Sequence, residues 1–175
     1  MKTESQHTAE LAYVCSLIQN LSIAMLTAEN DEGGLVTRPM SPLEMDGDGG
    51  LWFFTDRRAE MVEHLENLKL SFHDEANTTF ISLTGRGELS LDSARIEKLW
   101  TPSVRPQFPE GRLSRNLALL KFVPQSAEYG RAPNNRTLRF FTSPKSAVSA
   151  NLQTTDDTQF TRQVSRVFVR RPGMH

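Results

Sequence analysis

Apolar and polar residues alternate along much of the chain with the two-residue period that is typical of β-strands. The clearest case is residues 78–91, where one face is lined by apolar residues and glycines: Ile81, Leu83, Gly85, Gly87, Leu89 and Leu91. Two glycines within a strand indicate a sharp bend or a close approach of another backbone. The pattern therefore predicts a long strand that bends, or is closely approached, at these glycines.

Further strands and several helices follow from the spacing of apolar residues. Strands are predicted over residues 22–28, 35–45, 51–55 and 68–73, with further candidates over 117–122, 127–131 and 137–141. Helices are predicted over residues 8–20 and 57–67 and from Asp92 to Trp100, and the capping residues are Thr8, Asp56 and Asp92. Six or seven short strands, with a helix at the N-terminus and short helices between strands, indicate a mainly β fold of the α+β class, a small antiparallel barrel.

Residues 35–65 form the segment that is most informative about function. A strand that contains Arg38, Pro39 and Met40 leads to the turn Asp46-Gly47-Asp48-Gly49-Gly50, which is rich in residues that suit a hairpin. The aromatic strand Leu51-Trp52-Phe53-Phe54-Thr55 then returns. Its aromatic residues are interpreted as core, with alternate residues facing opposite sides of the strand.

The end of this aromatic strand predicts an anion site. Asp56 is the expected N-cap of the following helix, whose first turn carries Arg57 and Arg58. Backbone N–H groups at a helix start, with arginines nearby, suit an anionic ligand such as phosphate. Arg38, on the neighbouring strand, adds a further candidate cation.

Composition narrows the class of protein. The chain has 175 residues, 38% of them hydrophobic, with a mean hydropathy of −0.43, as expected for one ordinary domain. No apolar run approaches the roughly 20 residues of a membrane span, and the N-terminal residues lack a signal-peptide pattern. We therefore expect a cytoplasmic protein. The net charge of −1 argues against nucleic acid as a partner, and the single cysteine, Cys15, excludes an internal disulfide.

The composition changes after Phe141. Residues 142–175 are rich in Ser, Thr, Asn and Gln and carry five basic and two acidic residues, a charge of +3, which leaves −4 on residues 1–141. We expect a barrel domain over residues 1–141 and a polar, basic C-terminal extension over residues 142–175 that is flexible or loosely docked.

Other kinds of site find little support in the sequence. No Ser–His–Asp, Cys–His or paired-carboxylate arrangement follows from the spacing of residues. His73-Asp74 is interpreted as a surface strand end rather than a metal site, and His64 as a solvated side chain. Trp100 and Phe108 either pack a loop against a partner subunit or cover a ligand, and the sequence leaves both alternatives open.

Several motifs between Leu11 and Ala132 occur in the order and spacing typical of one known family. The chain resembles the general stress protein branch of the pyridoxamine 5′-phosphate oxidase-like, flavin-binding split-barrel family. The resemblance is carried by the following segments: Arg38-Pro39-Met40, Leu51-Trp52-Phe53-Phe54-Thr55, Ser82-Leu83-Thr84-Gly85 with Asp92, Leu99-Trp100-Thr101-Pro102, Phe108-Pro109-Glu110-Gly111 and Ala127-Glu128-Tyr129.

The resemblance implies a fold, a partner and a cofactor. It implies a six- to seven-stranded split barrel and a homodimer with two FMN molecules at the interface, with FAD as an alternative flavin. The strand around Arg38 and Met40, including Pro39, would lie along the isoalloxazine ring. Trp100 is a candidate to cover the ring. The residues expected to border the ribityl phosphate are Phe53, Phe54, Thr55, Asp56, Arg57, Arg58, Ala59 and Met61.

The chain departs from the family at the expected phosphate position. Relatives place a serine and a lysine where this chain has Ala59 and Met61, and a tryptophan where it has Gly130. Two hypotheses follow. Arg38 and the aromatic strand favour an FMN-dependent oxidoreductase that acts on a small molecule which the sequence does not identify. Ala59 and Met61 favour a non-catalytic flavin-binding or flavin-free stress or interaction protein of the same fold.

Overall fold

The structure, a computed structural model, describes residues 1–6, 9–76, 79–131, 136–141 and 155–156. Ten strands and two α-helices lie within these residues, in the order β1 Lys2–Thr3, α1 Ala9–Ile18, β2 Ala24–Glu29, β3 Leu35–Met40, β4 Glu44–Met45, β5 Leu51–Asp56, β6 Leu68–Asp74, β7 Thr79–Ser90, α2 Ser93–Leu99, β8 Leu117–Arg131, β9 Arg136–Phe141 and β10 Thr155–Asp156. Three short 3₁₀ helices also occur, over Glu60–Glu63, Pro102–Val104 and Gly111–Leu113.

All of these strands belong to one sheet, which follows the order β1-β4-β5-β8-β7-β6-β2-β3. β9 pairs with β8 and also with β10. Every pair is antiparallel except β1 with β4. The predicted mainly β fold with helices is confirmed, and it is consistent with a split barrel. The predicted number of strands was too low, because β1, β4 and β10 have only two residues each and leave no detectable alternation.

Two strand boundaries differ from the prediction. The strand expected over residues 35–45 is interrupted after Met40, because Pro42 has no N–H group with which to continue the ladder. The candidates over residues 117–122 and 127–131 are one strand, β8, whose register against β7 shifts between Thr84 and Gly85.

The helix predicted over residues 57–67 is wrong. Asp56 is the last residue of β5, and only Glu60–Glu63 form a helix, of the 3₁₀ type. Ala59 has an extended backbone, with φ of −65° and ψ of 132°, at the position that precedes this helix. The expected helix start at Arg57 and Arg58 is therefore a turn.

The main core lies between the inner face of the sheet and helix α1. β2, β6 and β7 bury alternate residues, and Leu11, Val14 and Ile18 of α1 pack on them. Cys15 is buried on the same helix face, and burial raises the pKa of its thiol, in agreement with a packing role. The predicted helix over residues 8–20 is confirmed over Ala9–Ile18, whereas its expected cap, Thr8, lies outside the described residues.

Strand β7 confirms a close backbone approach at Gly85. A Cβ atom added to Gly85 would lie 2.2 Å from the carbonyl oxygen of Val123 on β8. The predicted apolar face of this strand does not extend to its end, because Leu89 and Leu91 are 38% and 56% exposed. The core cluster includes Ile81 and Leu83 of this face but neither of these leucines.

The aromatic strand β5 separates two clusters of apolar side chains. Phe53 is fully buried in the main core, whereas Trp52 and Phe54 belong to a second cluster with Ile96 and Leu99 of α2. The prediction that alternate aromatic residues face opposite sides of the strand is therefore confirmed. The second cluster joins α2 to the outside of the sheet.

Helix α2 is also held by charge. The predicted cap is confirmed, since the side chain of Asp92 accepts hydrogen bonds from the backbone N–H groups of Ala94 and Arg95 at 2.9 and 3.2 Å. The Glu44 side chain on β4 is only 2% exposed, and its carboxylate lies 2.6 Å from Arg95 Nη2 and 3.2 Å from Lys98 Nζ. These ion pairs connect the helix to the sheet.

Asp46 supports the turn before β5. Burial disfavours its charged form, but hydrogen bonds from Lys121, Trp52 Nε1 and the N–H group of Gly50 outweigh burial and hold the pKa of Asp46 below its usual value. An ionised Asp46 therefore fixes both the turn and the indole of Trp52.

The domain division at Phe141 stays a prediction. Of the predicted C-terminal extension, only Thr155–Asp156 lie within the described residues, as the strand β10. They pair with Thr137 and Arg136 of β9, respectively.

Candidate functional site

A cleft of about 320 Å³ lies between the connection from β3 to β4 and the segment that follows α2. Pro39 and Met40 line one wall, with the next three residues, and Phe54 lines the cleft from β5. The opposite wall is formed by Leu99, Thr101, Ser103, Val104 and Gln107, and Met1 and Lys2 complete the lining. Three of the site residues predicted from the sequence, Pro39, Met40 and Phe54, therefore lie together.

The local sequence explains the shape of this cleft. Met40 ends β3 where it pairs with Ala24, and the chain then leaves the ladder at Ser41-Pro42-Leu43. The N–H group of Leu43 returns to the sheet by donating to the carbonyl oxygen of Trp52 at 2.8 Å. The cleft therefore occupies the gap that this short excursion opens at the sheet edge.

Phe54 is held in place by two other aromatic residues. The ring of Trp100 lies 5.6 Å from the ring of Phe54, centre to centre, and the ring of Phe108 lies 6.1 Å from it, both in edge-on orientation. Such edge-to-face pairs add to the stability that burial provides. Trp100 and Phe108 thus support a residue of the cleft, and the two alternatives from the sequence, a partner contact or a cover for a ligand, both stay predictions.

A second, much smaller crevice of about 10 Å³ is lined by two of the remaining predicted residues. Arg38 on β3 and Met61 in the 3₁₀ helix both line it, so the fold does bring these two predicted residues together. Glu29 and Glu60 line the same crevice, and the other lining residues are Leu26, Ala28, Asn30 and Val36. Arg38 is exposed and makes no salt bridge within the part of the chain that is described.

The backbone N–H groups expected to bind an anion are already engaged. That of Arg57 donates to the carbonyl oxygen of Asn116 at 2.8 Å, and that of Ala59 donates to the carbonyl oxygen of Asp56 at 2.9 Å. The N–H group of Arg58 donates to Asp56 Oδ1 at 2.8 Å. The expected helix start is therefore absent, and its N–H groups close a turn instead.

The Arg58 side chain is also engaged, with the same carboxylate. Its Nε and Nη2 atoms lie 3.2 and 2.9 Å from the two oxygens of Asp56. Hydrogen bonding from Arg58 lowers the pKa of Asp56, and hydrogen bonding to Asp56 raises the pKa of Arg58. Arg57 is exposed and has no ion pair among the described side chains, so it is a free cation near this turn.

The turn between β2 and β3 is tied to the 3₁₀ helix beside the crevice. The N–H group of Asp31 donates to Glu60 Oε1 at 3.3 Å, and Asp31 Oδ1 lies 2.7 Å from His64 Nε2. The hydrogen bond with Asp31 raises the pKa of His64. The His64 side chain, expected to be solvated, is 28% exposed and is also paired with this turn.

The other predicted residues present little surface to a ligand. Phe53 is fully buried, and Thr55 and Met61 are 6% and 7% exposed. Sequence reasoning missed two groups of residues that line the cleft: residues 41–43 and, after α2, Thr101, Ser103, Val104 and Gln107. These segments have no regular period. The residues from Ser103 to Arg115 were predicted only as an ordered loop, from Pro106, Pro109 and Gly111.

The described residues contain neither a metal-binding cluster nor a membrane-spanning helix. No group of three or more His, Cys, Asp or Glu side chains there is arranged to hold a metal ion. No helix among these residues has the length and apolar character needed to cross a membrane.

Known structures share this fold. A protein from Clostridium acetobutylicum related to general stress protein 26, of the pyridoxinephosphate oxidase family, is 25% identical, with a TM-score of 0.64, and the match covers 75% of this chain and 93% of that one. The general stress FMN/FAD binding protein of Xanthomonas citri is 24% identical, with a TM-score of 0.57 and coverage of 85% and 99%. A pyridoxamine 5′-phosphate oxidase-related, FMN binding protein of Nostoc punctiforme is 15% identical, with a TM-score of 0.61 and coverage of 76% and 87%.

The similarity to the Xanthomonas citri and Nostoc punctiforme proteins, at less than 25% identity, shows only a shared fold. A search among curated proteins finds no match. The sequence pattern that defines the family described as pyridoxamine 5′-phosphate oxidase like matches residues 9–157, most of the chain. The resemblance inferred from the motifs is therefore confirmed, and the chain belongs to the pyridoxamine 5′-phosphate oxidase-like family.

Proposed function

We propose that this protein is a cytoplasmic, flavin-dependent oxidoreductase that binds the isoalloxazine ring of FMN in the cleft beside Phe54. The cleft is the observation that carries the proposal. Its volume of about 320 Å³ falls within the roughly 300–1,000 Å³ that is usual for small-molecule sites. FAD, which has the same ring, is the alternative cofactor. The FMN and FAD binding of similar proteins supports the proposal by analogy.

The ring and the phosphate of FMN fit the residues of this chain unequally. Pro39, Met40 and Phe54 give the cleft apolar walls, and Ser41 and Thr101 provide hydroxyl groups for the polar edge of a ring. The turn after β5, by contrast, has engaged its N–H groups and the side chain of Arg58. A bound flavin would supply the electron-accepting ring, and the role of these residues would be to bind and orient it.

Filling the cleft should weaken flavin binding. Ser41 is an exposed residue of the cleft wall. We expect the substitution Ser41→Trp to weaken the affinity for FMN at least tenfold, or by about 1.4 kcal/mol. The matched control is Ser16→Trp on the exposed side of α1, which should leave the affinity unchanged. Quenching of flavin fluorescence during titration measures both affinities. Equal affinities in the two variants would place the ring elsewhere.

A second candidate function is a non-catalytic flavin-binding or flavin-free stress or interaction protein. The engaged N–H groups at Arg57, Arg58 and Ala59 favour it. Absorbance near about 450 nm, characteristic of oxidised flavin, separates flavin binding from its absence. Turnover of the flavin-loaded protein with a reduced nicotinamide nucleotide then separates an enzyme from a carrier.

We also propose that the protein is a homodimer. The outer face of β3, β2, β6 and β7 carries exposed apolar side chains, among them Met25, Leu35 and Phe80, at 41%, 79% and 51% exposure. These apolar side chains stand among polar ones, such as Lys69 and Thr84, and this partly apolar face offers contacts for another chain. A second copy is the occupant that the family implies.

Light scattering should therefore give the mass of two chains of 19.7 kDa. We expect Leu35→Asp combined with Phe80→Asp to shift the protein toward the monomer, because each introduces a charge into the apolar face. The matched control is Leu113→Asp, which changes an 88% exposed leucine on a different surface. A mass near that of one chain for the parent protein would contradict the proposal.

A further inference from the structure

We infer that this site recognises a flavin by its ring and has no preformed clamp for the phosphate, so that it binds riboflavin about as tightly as FMN. This inference rests on the proposed function, because it assumes that the ring occupies the cleft beside Phe54. Four features of the described residues support it. The backbone N–H groups after β5 already have acceptors, and the Arg58 guanidinium is paired with Asp56. Two carboxylates line the crevice beside Arg38, and the turn between β2 and β3 is bonded to the 3₁₀ helix.

The backbone contributes no free anion site at the turn after β5. A helix N-terminus binds phosphate because its first N–H groups have no partner within the helix. Here the N–H groups of Arg57, Arg58 and Ala59 all have acceptors at 2.8–2.9 Å. A phosphate could reach them only by displacing hydrogen bonds that already close the turn.

Of the side chains of this turn, only that of Arg57 is exposed and has no ion pair among the described residues. Arg58 makes a bidentate pair with Asp56, so a phosphate would have to compete with a carboxylate for the guanidinium. Ala59 has no polar group, and the thioether of Met61 is 7% exposed and packs in the main core. Neither residue can donate a hydrogen bond to a phosphate oxygen.

Arg38 lies beside two carboxylates, which carry the same sign of charge as a phosphate. The crevice that it lines with Glu29 and Glu60 measures about 10 Å³, close to the volume of a single water probe. A phosphate drawn to Arg38 would approach two carboxylates, and like charges at short range repel. The favourable charge of Arg38 is thereby offset within the same crevice.

The turn between β2 and β3 keeps this crevice narrow. Asp31 contacts both Glu60 and His64, so the turn is tied to the 3₁₀ helix at two points. Opening the crevice for a phosphate would break both contacts. These contacts already use Asp31, Glu60 and His64. With Glu29, they are the titratable groups beside Arg38 at the crevice, and none of them is positioned to bind an anion.

The test compares riboflavin with FMN on the full-length protein by quenching of flavin fluorescence. We expect dissociation constants within about threefold of each other, or less than about 0.7 kcal/mol. FMN that binds 30-fold or more tightly than riboflavin would overturn the inference and leave the proposed function intact. Binding of neither ligand would overturn the proposed function, and the inference with it.

A pair of charge variants tests the part of the argument that concerns the crevice. Glu60→Gln removes a carboxylate from the crevice, whereas Glu63→Gln makes the same change on an exposed residue of the same 3₁₀ helix that does not line it. We expect Glu60→Gln to tighten the binding of FMN about threefold and to leave that of riboflavin unchanged. Glu63→Gln should change neither. Equal effects of the two variants on FMN would overturn the role assigned to Glu60.

Discussion

Replacing Gly85 with alanine should lower the free energy of unfolding by at least about 3 kcal/mol, the upper part of the range for overpacking. The added methyl carbon would lie 2.2 Å from the carbonyl oxygen of Val123, which is far inside van der Waals contact. A backbone carbonyl within the β7–β8 ladder cannot rotate away as a side chain does. Strands β7 and β8 must therefore separate at the point where their register shifts.

Urea denaturation of the parent and the variant measures this loss. Gly34→Ala is the matched control, because the nearest atom to its added Cβ would be the side-chain oxygen of Asn30 at 3.1 Å, which can move. Gly34 also has no positive φ, so alanine is not strained there. If the two variants lost similar, small amounts of stability, the close approach at Gly85 would not be a constraint of the fold.

Replacing Glu44 with glutamine should cost about 3 kcal/mol, the lower end of the range for breaking a buried ion pair. Its carboxylate is almost fully buried between Arg95 and Lys98. A neutral amide would leave Arg95 without an anionic partner among the described residues, and Lys98 with only Glu4, at 3.5 Å. The lower end applies because Arg95 and Lys98 are 25% and 54% exposed and retain some contact with water.

The effect of this change should extend to the cleft, since Leu99 and Thr101 follow directly on the part of α2 that Glu44 anchors. Glu97→Gln is the matched control on the same helix. Its partner is Arg112, at 2.9 Å between Glu97 Oε2 and Arg112 Nε, and both side chains are more than half exposed. Such a pair contributes less than about 1 kcal/mol. Equal losses in chemical denaturation of the two variants would refute a special role for Glu44.

Those parts of the fold that depend on regular alternation could be predicted from the sequence. Residues 78–91 and the aromatic strand were recognised because each places apolar side chains on one or both faces of a sheet. The cap of α2 was recognised because Asp92 precedes a short apolar stripe. The close approach at Gly85 followed from a glycine within a strand.

The helix over residues 57–67 could not be distinguished from the observed turn by spacing alone. Ala59, Met61, Val62 and Leu65 have helical spacing. Met61 is buried in the main core, and the other three pack against it as partly buried side chains. The backbone is set instead by distant partners, such as the carbonyl oxygen of Asn116, which accepts from Arg57. Tertiary contacts of this kind override a local pattern.

The cleft was only half predicted for a related reason. Pro39, Met40 and Phe54 were found through strand motifs, whereas the opposite wall comes from residues after α2 that have no period. Their position is fixed by packing in the second cluster, where Val104 is 8% exposed. The position of a loop that forms one wall of a cleft can be predicted only once the helices and strands on both sides of it are placed.

The two tryptophans of this chain lie in or against the same apolar cluster but have different neighbours. Trp52 is 7% exposed, with the Arg95 guanidinium 3.7 Å and the Lys121 ammonium 5.3 Å from its ring centre. Its emission should therefore change when these two cation–π contacts are lost. Trp100, edge-on to Phe54, lies next to the cleft. Because indole emission overlaps flavin absorption, a flavin in the cleft should quench the emission of both tryptophans, which gives a signal of binding without any added label.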